Sequence, residues 1–125
     1  MNSPARITLT VTADAELARL VRMTAANVAM LSSMSVDRVE DIKMAAEEAF
    51  IYACGTAAGA RLGIDFAASA EQVDMVFTLD AAAFAEASED DSTAAYADLL
   101  IEAVCDAYEK RENPAALAMT LKADI

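Results

Sequence analysis

The sequence predicts an α+β domain: a single two-layer sandwich, with a sheet of about four strands covered on one face by helices. Two patterns carry this. Four stretches alternate apolar and polar residues with a period of two, the mark of strands that bury a single face. Between them run three longer stretches whose apolar residues recur at helical spacing. Composition agrees, because 57% of the 125 residues are apolar and many of these are alanine, which suits helices and close packing around one core of ordinary size. No linker, repeat or shift in composition divides the chain, so residues 1–125 read as one domain.

Taken in order, Ile7, Leu9 and Val11 alternate with Thr8, Thr10 and Thr12, giving a first strand with an apolar face and a threonine face. Asp14 is placed to cap a helix running to about Met34, with Leu17, Leu20, Val21, Val28 and Leu31 as its inner stripe. A second helix starts at the N-cap Ser35. Asp37 complements its dipole, Met34 and Val39 form a hydrophobic staple, and Val39, Ile42, Ala46, Ala49, Phe50 and Ala53 face the core. This helix fades through Gly55 and Gly59, near Arg61.

Leu62, Ile64 and Phe66, then Val73, Met75, Phe77 and Leu79, alternate on either side of a polar turn at Ser69 to Gln72, which predicts a hairpin. A short helix or loop is expected over 81–87, followed by the acidic Glu89-Asp90-Asp91. A third long helix, capped at Ser92 or Thr93, is expected to turn Tyr96, Leu99, Leu100, Ala103, Val104, Ala107 and Tyr108 inward. It ends before the turn signal Asn113-Pro114, and Leu117, Met119 and Leu121 form the last strand.

Composition also excludes chemistry. The chain has no histidine, which removes Ser-His-Asp and Cys-His nucleophile systems, histidine-zinc sites and imidazole proton shuttles. With 9 basic and 21 acidic residues its formal charge is −12, which disfavours nucleic acid and anionic membranes and suits a basic protein partner. No run of about 18 or more apolar residues marks a membrane span. The N-terminus lacks the layout of a signal peptide, and Cys54 and Cys105, both within predicted helices, read as buried thiols rather than a disulfide. The expected location is the cytoplasm, and no metal site is expected.

The stretch Glu40-Asp41-Ile42-Lys43-Met44-Ala45-Ala46-Glu47-Glu48-Ala49-Phe50-Ile51-Tyr52-Ala53-Cys54 resembles the N-box helix of the GHKL (histidine-kinase-like) ATPases, in the form found in bacterial anti-sigma-factor serine kinases. The resemblance extends over most of the chain in element order, and its front half includes Leu20-Val21-Arg22. In that family a glutamate acts as general base and an asparagine four residues later binds magnesium. Glu48 fills the first position, and Tyr52, a poor magnesium ligand, the second. The family's adenine-reading aspartate corresponds to Asp80 in Leu79-Asp80-Ala81-Ala82-Ala83-Phe84, without the glycines that follow it there. Asp91-Ser92-Thr93-Ala94-Ala95-Tyr96 stands in place of the glycine-rich phosphate turn, and all three glycines lie at or before Gly63. From Leu62 to Glu109, a span that builds the phosphate lid in that family, 12 of 48 residues are acidic and none is lysine or arginine. Close like charges there oppose a triphosphate.

The resemblance therefore implies a degenerate GHKL-like domain. Glu48 is a vestigial general base or a carboxylate at the helix rim, within reach of the Tyr52 phenol one turn on. Asp80 reads adenine or caps the following helix. The implied function is non-catalytic regulation by binding a sigma factor or an anti-anti-sigma protein, with Arg19 and Arg22 as partner-binding residues. Homodimerisation is expected, and no cofactor. A serine-protein kinase with divergent motifs, using ATP and magnesium, and a scaffold subunit unrelated to transcription are the alternatives.

Overall fold

The computed structural model describes residues 3–80 and 92–125. The elements run β1 (Ala5–Thr12), a 3-10 turn (Ala15–Leu17), α1 (Ala18–Ala29), α2 (Val36–Thr56), β2 (Arg61–Ala68), β3 (Gln72–Leu79), α3 (Ser92–Val104), β4 (Ala107–Arg111) and β5 (Ala116–Lys122). The sheet has five strands in the order β1-β2-β3-β5-β4, and every neighbouring pair is antiparallel. An α+β sandwich is thus present, with one strand more than expected. The predicted helix or loop over 81–87 and the acidic cluster 89–91 lie outside the described residues.

Strand register explains the core. Ile64, Phe77 and Leu117 form one row across β2, β3 and β5, and Phe66, Met75 and Met119 form the next. These side chains are at most 2% exposed and pack with Val21, Ala25, Ile42, Ala46, Ala49 and Phe50 of the helices. Ile7 and Leu9 share the covered face but remain half-buried, because β1 is an edge strand. Thr8, Thr10, Gly63, Val76, Thr78 and Ala118, at the alternate positions, lie on the opposite face, which none of the described helices covers.

The helix starts follow capping chemistry. The Ser35 hydroxyl accepts a hydrogen bond from the Arg38 N–H at 3.1 Å, satisfying an otherwise orphaned donor of α2. Asp14 caps the 3-10 turn rather than a long helix, accepting from the Glu16 N–H at 2.9 Å. After α2, Gly59 adopts φ +82°, a conformation that a Cβ would strain, and its N–H bonds the Ala13 carbonyl.

Three sequence expectations are corrected. Leu20 is 48% exposed because Val21, Ala25, Val28 and Ala29 fill the inner stripe of α1, and Leu31 is 54% exposed because the helix ends at Ala29 rather than near Met34. The inner side of α3 is Ala97 and Ile101, whereas Tyr96 and Leu99 are 60% and 67% exposed. Finally, α3 stops at Val104, and Ala107 and Tyr108 belong to β4, which pairs with β5. Cys105 consequently lies just beyond the helix, and burial pushes its thiol up to about 12. Both cysteines are free and half-buried.

Arg38 explains why α3 stops there. Its Nη1 donates to the Val104 carbonyl at 2.8 Å and to Asp41 at 3.1 Å, its Nη2 to Asp106 at 2.6 Å, and its Nε to the Lys122 carbonyl at 2.9 Å. Asp106 also accepts from the Lys122 N–H at 2.7 Å. The Arg38 side chain is only 15% exposed, so removing it strands two carbonyls and two carboxylates. Arg38→Ala is expected to cost about 2–3 kcal/mol, discounted because its carboxylate partners are over a third exposed. Urea unfolding, with an unchanged slope and a lower midpoint, checks this.

Candidate functional site

Two places carry the sequence-predicted residues. The first is the side of α2 that meets α3 and β4. Glu48 and Tyr52 stand one turn apart on α2. The Tyr52 hydroxyl meets Lys110, whose Nζ donates to it at 3.2 Å and lies 4.7 Å from the ring centroid. Lys110 also donates to Asp98 of α3 at 2.7 Å, and the Tyr108 hydroxyl donates to the other Asp98 oxygen at 2.8 Å. Tyr52 therefore belongs to a network tying α2, α3 and β4 together.

Electrostatics follow from this network. Burial, then the hydrogen bond to Asp98, drive the Tyr108 phenol far above its usual range. Burial acts to lower Lys110, but its hydrogen bonds to Asp98 and Tyr52 outweigh that and the net shift is upward. Glu48 has no hydrogen-bond or ion-pair partner among the described residues. Burial and the adjacent Glu47 carboxylate push its carboxyl above the ordinary range.

Asp80, at the end of β3, is exposed, and its N–H donates to the Arg61 carbonyl at 3.1 Å. It lines a groove with Thr10, Arg61, Gly63, Thr78, Leu79 and Pro114, residues mainly of the uncovered sheet face. No hydrogen bond or ion pair among the described residues connects it to Glu48 or Tyr52. The helix it was expected to cap lies outside the described residues. No group of three or more potential ligands among the described residues is arranged to hold a metal ion.

The second place is an open groove of about 380 Å³ between α1 and α2, lined by Arg19, Arg22, Met23, Glu40, Lys43, Met44 and Glu47. Arg22 and Glu47 form an ion pair at 3.3 Å, and Lys43 and Glu40 another at 3.0 Å. Arg19 is exposed and has no ion-pair partner among the described residues. Three cations thus face two carboxylates in a chain of charge −12. The structure brings Arg19 and Arg22 into one groove but separates their roles: Arg22 locks α1 to α2, and Arg19 remains available.

No protein-family model matches the chain, and none of the curated proteins does. Sequence reasoning missed Lys110, Asp98 and Tyr108 because they converge only once β4 is recognised. Among the described residues, no helix is long and apolar enough to cross a membrane.

The raised Tyr108 and Lys110 make an alkaline prediction. Both bind their protons more tightly folded than unfolded, so their contribution is complete below about pH 10 and declines above the unfolded-state values near 10–10.4. Denaturation midpoints should hold up to about pH 10 and fall above it, and Tyr108→Phe should flatten that fall.

Proposed function

We propose that this chain is a non-catalytic regulator that works by binding a protein, with a sigma factor or an anti-anti-sigma protein as the partner class. The observation that carries the reading is the α1–α2 groove, where an unengaged Arg19 sits beside the half-exposed Met23 on a strongly acidic chain. A cation flanked by accessible apolar surface suits a carboxylate anchored beside an apolar side chain of a partner. The long-range field of the remaining surface attracts a basic partner and makes its association rate fall with salt.

The catalytic alternative has less support. The Tyr52 position is bonded to Lys110, the phosphate-loop glycines are absent, and the span 62–109 carries no basic residue. These features favour a GHKL-like scaffold whose nucleotide machinery has eroded. Its regulatory role rests on protein contacts, and cytoplasmic residence follows from the same reading.

Two measurements test this. Calorimetry with ATP and magnesium should give no binding tighter than about 1 mM, equivalent to about −4 kcal/mol; a micromolar constant weakened by Asp80→Ala would restore the kinase. In pull-downs from the native bacterium, a sigma factor or anti-anti-sigma protein should be recovered by the wild type. Arg19→Glu should weaken its capture at least tenfold, and Arg22→Ala should weaken it less. Recovery of neither protein would leave the scaffold reading.

A further inference from the structure

The groove between α1 and α2 runs between two matching rows of side chains. On α1, Arg19, Met23, Ala26 and Met30 recur at intervals of four, three and four residues, the repeat of a single helix face. Val36, Glu40, Lys43 and Glu47 recur at the same intervals on α2. The Arg22–Glu47 ion pair and the short connection from Met30 to Ser35 make the two helices antiparallel. Met30 and Val36 therefore stand at one end of the groove, and Arg19 and Glu47 at the other. Each row spans about 16 Å, or three helical turns.

Apolar exposure follows these rows. Met23 is 44% exposed, Met30 74% and Val36 80%. The connection that presents the last two is anchored at both ends: the Ser33 N–H donates to the Ala70 carbonyl at 3.0 Å, and the Ser35 N–H to Asp124 at 2.7 Å. Apolar surface fixed in this way loses little conformational freedom when it is covered. Charge gives the groove two unlike ends. Within it, Lys43 pairs with Glu40 and Arg22 with Glu47. Arg19 at one end, and the exposed Asp37 beside Val36 at the other, have no ion-pair partner among the described residues.

We infer that the groove takes an amphipathic α-helix of about three turns from the partner, acidic at one end and basic at the other. Its apolar stripe covers Met23, Met30 and Val36, its aspartate or glutamate meets Arg19, and its lysine or arginine meets Asp37. An extended segment would need a strand edge for its main-chain hydrogen bonds, whereas the backbones of two packed helices are already bonded internally. Affinity here must come from side chains, and a third helix offers them at the same repeat as the two rows. The unlike ends add selectivity: a uniformly basic helix would set a cation against Arg19, and a uniformly acidic one a carboxylate against Asp37. The docked helix is the contact element of the protein partner proposed above, and so rests on that reading of the groove.

Fluorescence anisotropy with a labelled synthetic peptide of about 12 residues tests this on the full chain. The peptide carries leucines every three or four positions, glutamates at one end and lysines at the other. It should bind at least tenfold more tightly than an isomer whose leucines are dispersed around the helix. Met30→Ser/Val36→Ser changes two exposed side chains and should weaken binding at least tenfold while leaving circular dichroism and Tm unchanged. Arg19→Glu should shift preference to a peptide with lysines at both ends, and Asp37→Lys to one with glutamates at both ends. Equal binding of the two isomers, or indifference to the serine pair, would overturn the inference. Capture of a sigma factor or anti-anti-sigma protein that Arg19→Glu weakens and the serine pair does not would also overturn it, while keeping that partner class. Peptide binding that follows all of these changes, with neither protein captured, would support the helix and remove the partner class.

Discussion

Arg38 is the contact through which the two layers are held in register. It leaves the first turn of α2 and reaches the last carbonyl of α3, the aspartate that precedes β4, and the end of β5. A planar guanidinium with donors in a fixed fork can serve acceptors in several directions at once; an ammonium on a flexible stem cannot hold that geometry. The same corner contains the Ser35 cap, and the Ser35 hydroxyl and N–H both donate to the Asp124 carboxylate. The beginning of α2 is thus the point on which α3 and the last two strands converge.

This corner also shows what could be read from sequence. Period-two alternation identified the covered residues of β2, β3 and β5 because buried strands leave little choice of side chain. Ser35 was legible as a cap because its chemistry is local. β4 was not. Val104, Ala107 and Tyr108 fall at helical spacing, and no glycine or proline separates Val104 from Ala107. The break comes from Arg38, 66 residues from the carbonyl it binds. The phase of α3 was misread for a related reason: its contact with alanine-lined α2 uses Ala97 as well as Ile101, and a buried alanine gives a weak signal beside a tyrosine and two leucines.

The candidate site was partly legible. Arg22, Glu48, Tyr52 and Asp80 were singled out through the family resemblance and Arg19 as a neighbour of Arg22 on the same helix, but their relations came from the fold. The Arg22–Glu47 pair spans 25 residues and gives one arginine a packing role that its neighbour lacks. Tyr52 is joined to Lys110, a residue of the unrecognised strand. The covered and uncovered faces also divide the labour differently from their appearance in sequence. Tyr52 is bound into the helical layer, while Asp80 borders the bare side of the sheet.

The strand order has a consequence for how the chain reaches this state. The β2–β3 and β4–β5 pairs close short loops, whereas β1 must wait for β2 across both long helices. Loop-closure entropy makes such distant pairing late unless intervening structure shortens the search. The ion pair between Arg22 and Glu47 and the cap at Ser35 lie within the α1–α2 hairpin, which folds the intervening chain back on itself and shortens the span between β1 and β2. Among the described strands, β1 lies farthest along the chain from its ladder partner, so the row of Ile7, Leu9 and Val11 carries the largest closure entropy of the sheet.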